Sequence, residues 1–120
     1  MSRRVLIVDD DLGILETIQG MLELEGYEVD LARDGVEALQ QVARKVPELI
    51  ILDIMMPRMD GYTMASELQR QGLRGSIPLI VLTADGRAAE KAARIGANGY
   101  LEKPFVLDKF IGEVARVLGQ

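Results

Sequence analysis

Leu49-Ile50-Ile51-Leu52-Asp53 is a short apolar run that ends in a carboxylate. A run of this length, apolar at successive positions, reads as a strand buried on both faces, the pattern of a parallel sheet covered by helices. Three other runs have the same form. Leu6-Ile7-Val8 leads into Asp9-Asp10, Leu79-Ile80-Val81-Leu82 into Thr83, and Gly99-Tyr100-Leu101-Glu102 into Lys103-Pro104. In a parallel sheet all strands point one way, so the residues at their carboxyl ends meet along one edge, where such folds bind ligands. The sequence therefore predicts a crevice holding carboxylates, a hydroxyl and an ammonium group, a set suited to a divalent metal and a phosphoryl group.

Working outward, the segments alternate. Strands are expected at Arg3–Val8, Tyr27–Ala32, Glu48–Asp53, Ile77–Thr83 and Gly99–Glu102. Helices are expected at Leu12–Glu25, with Leu15, Ile18 and Leu22 at helical spacing, then Val36–Lys45, Tyr62–Gln71, Arg87–Ile95 and Leu107–Leu118. Asp34-Gly35 is a turn and Pro47 ends the second helix. Strands alternating with helices imply right-handed crossovers and one α/β domain with a parallel sheet. The expected domain is 1–120, either whole or cut at the boundary of a longer chain.

The 120 residues suffice for one continuous core. No apolar run approaches the roughly 20 residues that span a bilayer. Ser2-Arg3-Arg4 mimics the start of a signal peptide, but the run after it is short and meets aspartates, so a cytoplasmic location and no membrane partner are expected. The net charge of −5, with no Lys/Arg cluster, argues against direct binding of nucleic acid. The absence of Cys excludes thiol chemistry and Cys-ligated metals, and the absence of His excludes Ser-His catalysis and His-ligated metals. Carboxylate, hydroxyl and amine remain, and a metal bound by such oxygens is hard, Mg²⁺ or a similar ion.

Asp11 reads as the cap of the first helix. Asp9 and Asp10 read as more than caps, since adjacent carboxylates repel and a metal relieves that repulsion. Asp53 beside them becomes a candidate nucleophile, because a carboxylate can accept a phosphoryl group as an acyl phosphate. Alone, Thr83 reads equally as an ordinary strand residue and Lys103 as a solvated cation. No P-loop is present, and the methionines at 55, 56, 59 and 64 read as packing residues rather than a binding surface.

Five segments together resemble the receiver domain of bacterial two-component response regulators, chemotaxis receivers among them. They are Val5–Asp11, Ala32–Leu39, Leu52–Gly61, Leu82–Ala84 and Gly96–Phe105. The resemblance implies a flavodoxin-like receiver fold, strand order 2-1-3-4-5, flanked by five helices. It implies that Asp53 is the phosphoacceptor and that Lys103 pairs with the phosphate. It makes Thr83 and Tyr100 the switch pair, and Lys103-Pro104 a cis peptide. Mg²⁺ or Mn²⁺ would be held by Asp10, Asp53 and the Met55 backbone carbonyl, with Asp9 acting through bound water. The implied donor is a sensor histidine kinase or a phosphotransfer protein. The implied output is a protein target or effector domain at the face of the fourth helix, fifth strand and fifth helix, with Tyr100, Arg87, Lys91 and Lys109 exposed there. Such a module catalyses only its own phosphorylation and dephosphorylation and is not a turnover enzyme. The alternatives are a Mg²⁺-dependent phosphohydrolase using Asp9 and Asp11 at the first strand end, and a receiver-like scaffold that is never phosphorylated. The stretch around Asp85-Gly86-Arg87 is short for the family, so an irregular start to the fourth helix is expected. Lys109 and Glu113 are expected to pair within the fifth helix.

Overall fold

The computed structural model describes residues 3–56 and 58–119, and all of Arg74 but its side chain. Met1, Ser2, Pro57 and Gln120 lie outside the described residues. The strands are β1 (Arg4–Val8), β2 (Glu28–Ala32), β3 (Leu49–Asp53), β4 (Leu79–Thr83) and β5 (Gly99–Glu102). The helices are α1 (Leu12–Leu24), α2 (Gly35–Arg44), α3 (Gly61–Arg70), α4 (Ala88–Ile95) and α5 (Leu107–Val117), and a 3-10 turn at Arg74–Ser76 precedes β4. The sheet is parallel throughout, in the order β2-β1-β3-β4-β5. This is the expected architecture, with element ends displaced by a residue or two and the 3-10 turn added.

The alternation of side chains along each strand splits the core in two. Val5 and Ile7 of β1, Leu49 and Ile51 of β3, and Ile80 and Leu82 of β4 pack with Leu15, Ile18 and Leu22 of α1 and Phe110 and Val114 of α5. Leu6, Val8, Ile50, Leu52 and Leu79 pack on the opposite face with Ala38 and Val42 of α2 and Met64, Ala65 and Leu68 of α3. α4 rests on a smaller cluster of Ile54, Val81 and Ala92.

Three helices start from an aspartate at the sheet's carboxyl edge. The side chains of Asp11, Asp34 and Asp60 accept from the backbone N–H of Ile14, Glu37 and Thr63, at 3.2, 2.9 and 2.8 Å. Such caps satisfy donors that the first turn leaves unpaired. α4 has no side-chain cap, and Gly86 before it is left-handed with φ +77°, so the irregular start expected of this helix is present. The loop between β3 and α3 closes tightly through glycine. A Cβ on Gly61 would lie 2.9 Å from Ile54 Cδ1 and 3.2 Å from the Asp53 carbonyl oxygen, so only glycine lets the helix start this close to the strand end. The same loop is tied to α2: Gly35 donates its N–H to the Met59 carbonyl at 3.2 Å.

Candidate functional site

The strand register gathers the reactive residues. Val8 lies opposite Leu52, so Asp9 and Asp53, one residue on, are neighbours. Asp53 lies opposite Leu82 and Thr83 opposite Glu102, which brings Thr83 and Lys103 to the same edge. Lys103 N–H donates to the Thr83 carbonyl at 2.8 Å, and the Lys103-Pro104 peptide is cis, as expected.

Asp9, Asp10 and Asp53 each offer a carboxylate oxygen within 4.8 Å of the others, and form the cluster among the described residues able to hold a metal ion. Their environments differ. Asp9 is fully buried, Asp53 is 7% exposed and Asp10 is open to solvent. Lys103 Nζ lies 2.7 Å from Asp9 Oδ2 and 3.7 Å from Asp53 Oδ2. Asp9 Oδ1 accepts from Asp11 N–H at 3.0 Å, and Asp53 Oδ1 from Met55 N–H at 3.2 Å. Burial first, and then the charge of Asp9, raise the Asp53 carboxyl to about 6, against the pull of Lys103 and the Met55 amide. An all-oxygen donor set carrying excess negative charge suits a hard divalent cation, whose charge would relieve that repulsion. The residues fit such an ion.

Thr83 is 2% exposed, and it looks away from the three acids in its bonding. Its hydroxyl donates to Asp85 Oδ1 at 3.2 Å and accepts from Lys91 Nζ at 3.3 Å. Lys91 and Asp85 form an ion pair. Lys91 is thus not an exposed residue of the outer face: its side chain is only 13% exposed, because it lies along α4 toward the strand end. Arg87 and Lys109 are exposed as expected, and Tyr100 is 46% exposed. Tyr100 lines an open cleft of about 530 Å³ with Leu101, Glu102, Lys109, Glu113 and Arg116. The pairing in that cleft differs from expectation. Glu113 pairs with Arg116 at 2.7 Å and accepts from Tyr100 N–H at 3.3 Å, and Lys109 exerts only a longer-range attraction. A planar guanidinium engages both carboxylate oxygens, which an ammonium cannot match.

The methionines divide. Met64 is fully buried and Met56 and Met59 pack against the core, but Met55 is 67% exposed beside Asp53, which corrects its reading as a packing residue. One pair was missed altogether. Arg58, left-handed at φ 61°, donates through Nε to Asp34 Oδ2 at 2.7 Å. The Asp34 side chain is only 7% exposed. Burial pushes its carboxyl up, but the Glu37 N–H and Arg58 outweigh that and hold it below the usual carboxylate range. Asp34 was legible as a turn residue and Arg58 as a loop residue, and no spacing in the sequence links them. A second hollow, about 590 Å³ and mainly apolar, lies between α1 and the 103–105 turn, lined by Ile14, Ile18, Met21, Pro104 and Phe105 among others.

Known proteins share both the sequence and the geometry. Residues 5–115 match the family model of the response regulator receiver domain. The chain is 41% identical over 120 residues to response regulator MprA of Mycobacterium ulcerans, covering 98% of this chain and 51% of that protein. Against response regulator MprA of Mycobacterium leprae the figures are 42% over 117 residues, 96% and 50%, so the chain spans about half the length of these relatives. Among solved structures, the chemotaxis response regulator CheY4 of Vibrio cholerae superposes with a TM-score of 0.90 at 32% identity, covering 98% of this chain and 99% of that one. The receiver domain of NtrX from Brucella abortus does so with a TM-score of 0.88 at 32% identity, covering 97% and 98%. A family model that runs from the second residue of β1 into α5, and solved neighbours that superpose over nearly the whole chain, leave one conclusion: the chain belongs to the receiver domains of two-component response regulators.

Proposed function

We propose that the chain is a phospho-accepting switch that takes a phosphoryl group onto Asp53 from the phosphohistidine of a sensor kinase or phosphotransfer protein. The observation that carries the reading is Asp53 itself. It is a buried carboxylate at the end of the central strand, with Asp9 and Asp10 on one side and Lys103 3.7 Å away. A carboxylate oxygen of Asp53 attacks phosphorus, the phosphorus–nitrogen bond to the donor imidazole breaks, and an acyl phosphate forms. Such a transfer has a loose transition state with charge on the equatorial oxygens, so positioning and charge stabilisation do most of the catalysis. Lys103 supplies positive charge on one side. Asp10, Asp53 and the Met55 carbonyl would hold Mg²⁺ or Mn²⁺ directly, and Asp9 would act through bound water. The ion, when bound, neutralises phosphoryl oxygens and the acid cluster. Thr83 and Tyr100 then carry the change to the α4-β5-α5 face, where an effector domain or target protein docks. On this reading the chain acts on itself alone, in the cytoplasm. No helix among the described residues is long and apolar enough to cross a membrane.

The geometry speaks against a hydrolase that uses the first strand end. Asp9, the nucleophile such an enzyme needs, is fully buried with one oxygen on Lys103 and the other on Asp11 N–H. Asp11, the corresponding acid, caps α1. Intact mass after acetyl phosphate with Mg²⁺ tests the proposal. The parent should gain one phosphoryl mass, Asp53→Asn none, and Asp9→Asn less than the parent. Equal labelling of Asp53→Asn overturns the assignment and points to Asp9. An unlabelled parent supports the scaffold reading.

A further inference from the structure

Thr83 has one hydroxyl proton, and in this structure that proton is committed. The hydroxyl donates to Asp85 Oδ1 at 3.2 Å, while Lys91 Nζ donates to the hydroxyl at 3.3 Å and pairs with Asp85. Asp85 is fixed in turn by Arg87 N–H at 3.1 Å, at the residue just before α4. The alternation along β4 explains the placement. Ile80 and Leu82 face α1 and α5, so Thr83 falls on the opposite parity, the side of Val81 and α4. Asp9 and Asp53 share the parity of Ile7 and Ile51, toward α1 and α5.

We infer that Asp85 and Lys91 form a latch that holds the Thr83 hydroxyl out of the Asp53 site and ties its release to α4. The inference rests on the reading of Asp53 as phosphoacceptor. A phosphoryl oxygen on Asp53 can claim the Thr83 proton only after the bond to Asp85 breaks. Breaking it removes the hydroxyl from the Asp85–Lys91 pair, and Lys91 is the cation by which α4 is anchored to the end of β4. α4 is well placed to respond: it has eight residues, no side-chain cap and only Ala88 and Ala92 fully in the core. Asp85 and Lys91 are positioning residues, since they act on the site only through Thr83.

The test is a double-mutant cycle read by binding of beryllofluoride with Mg²⁺, followed by NMR titration in the parent, Asp85→Ala, Thr83→Ala and the double variant. Deleting Asp85 removes a negative charge, which tightens anion binding with or without the Thr83 hydroxyl. Only the freed hydroxyl depends on Thr83, so the cycle isolates it. Asp85→Ala should tighten binding about fivefold more when made in the parent than when made in Thr83→Ala, with α4 amides shifting only in the former. Equal tightening in both backgrounds, or none in either, overturns the latch. Failure of the underlying reading looks different: the parent then binds no beryllofluoride, or binds it equally well as Asp53→Asn. Asp85 is half-exposed on a turn, so its truncation leaves the core untouched.

Discussion

Asp53 is held in the folded chain at a cost, and removing its charge should stabilise the apo protein. Its carboxyl lies at about 6 against an ordinary value of 3.8, with the help of Lys103 and the Met55 amide already included. Each pKa unit is worth about 1.4 kcal/mol, so the shift corresponds to roughly 3 kcal/mol at most. Solvent screening at the open mouth of the site lowers that to about 2 kcal/mol. Asp53→Asn keeps the side-chain shape and an oxygen for the Met55 N–H, and loses the repulsion from Asp9 and Asp10. At pH 7.5 without divalent metal, Asp53→Asn should be about 2 kcal/mol more stable than the parent, or about 8 °C higher in Tm for a chain of this size.

The sign of the pH dependence follows from the direction of the shift. The folded state holds the proton more tightly than the unfolded chain, so the parent loses stability as pH rises from about 4 to about 6 and carries the full penalty above that. The gap between Asp53→Asn and the parent should therefore close as pH falls from about 6 to about 4. Metal should close it from the other side. An ion bound by the folded parent at a hundred times its Kd contributes about 2.7 kcal/mol, and Asp53→Asn, which offers one carboxylate charge fewer, should gain less from it. Urea denaturation in EDTA from pH 4 to 8, repeated with saturating Mg²⁺ at pH 7.5, measures both effects. A gap that does not vary with pH, or an Asp53→Asn less stable than the parent in EDTA at pH 7.5, refutes the strain argument.

Two other substitutions probe the neighbouring residues. Asp10→Asn should weaken Mg²⁺ binding at least tenfold by calorimetry, since it removes one of few protein oxygens; an unchanged Kd would mean that Asp10 is not a ligand. Arg58→Ala should cost about 1–2 kcal/mol at neutral pH, because it strips the guanidinium from a carboxylate 7% exposed while Arg58 itself is 59% exposed. Asp34 is held below its ordinary value, so its stabilisation exists above about pH 4 and is lost on acidification, and the difference between Arg58→Ala and parent should shrink below that pH. A pH-independent difference would locate the loss in the loop backbone instead.

The residues legible in the sequence were those whose position is set by strand periodicity. Asp9, Asp53 and Thr83 each end or follow a short buried run and Lys103 follows the half-exposed edge strand β5, and a parallel sheet turns those strand ends into a shared edge with no further information. Register then does the rest: Asp9 and Asp53 each follow one half of the Val8–Leu52 pair. What stayed hidden depends on loop conformation and helix rotation, which leave no periodic trace. Lys91 is spaced like a surface residue of α4, yet its long side chain reaches back along the helix to Thr83 and Asp85. Arg58 meets Asp34 from a left-handed backbone position in the loop, which no spacing announces. Glu113 had two cations within helical reach, and the choice of Arg116 over Lys109 came from guanidinium geometry and from the Asn98 carbonyl that Arg116 also engages at 2.9 Å. In each case the missed partner is a long cation whose reach spans several positions, so sequence spacing constrains it least. The acids, short and fixed at strand ends, are constrained most. The chemistry proposed for this chain rests on those acids and on Lys103, whereas the latch proposed for it rests on Lys91, a cation that only the fold could place.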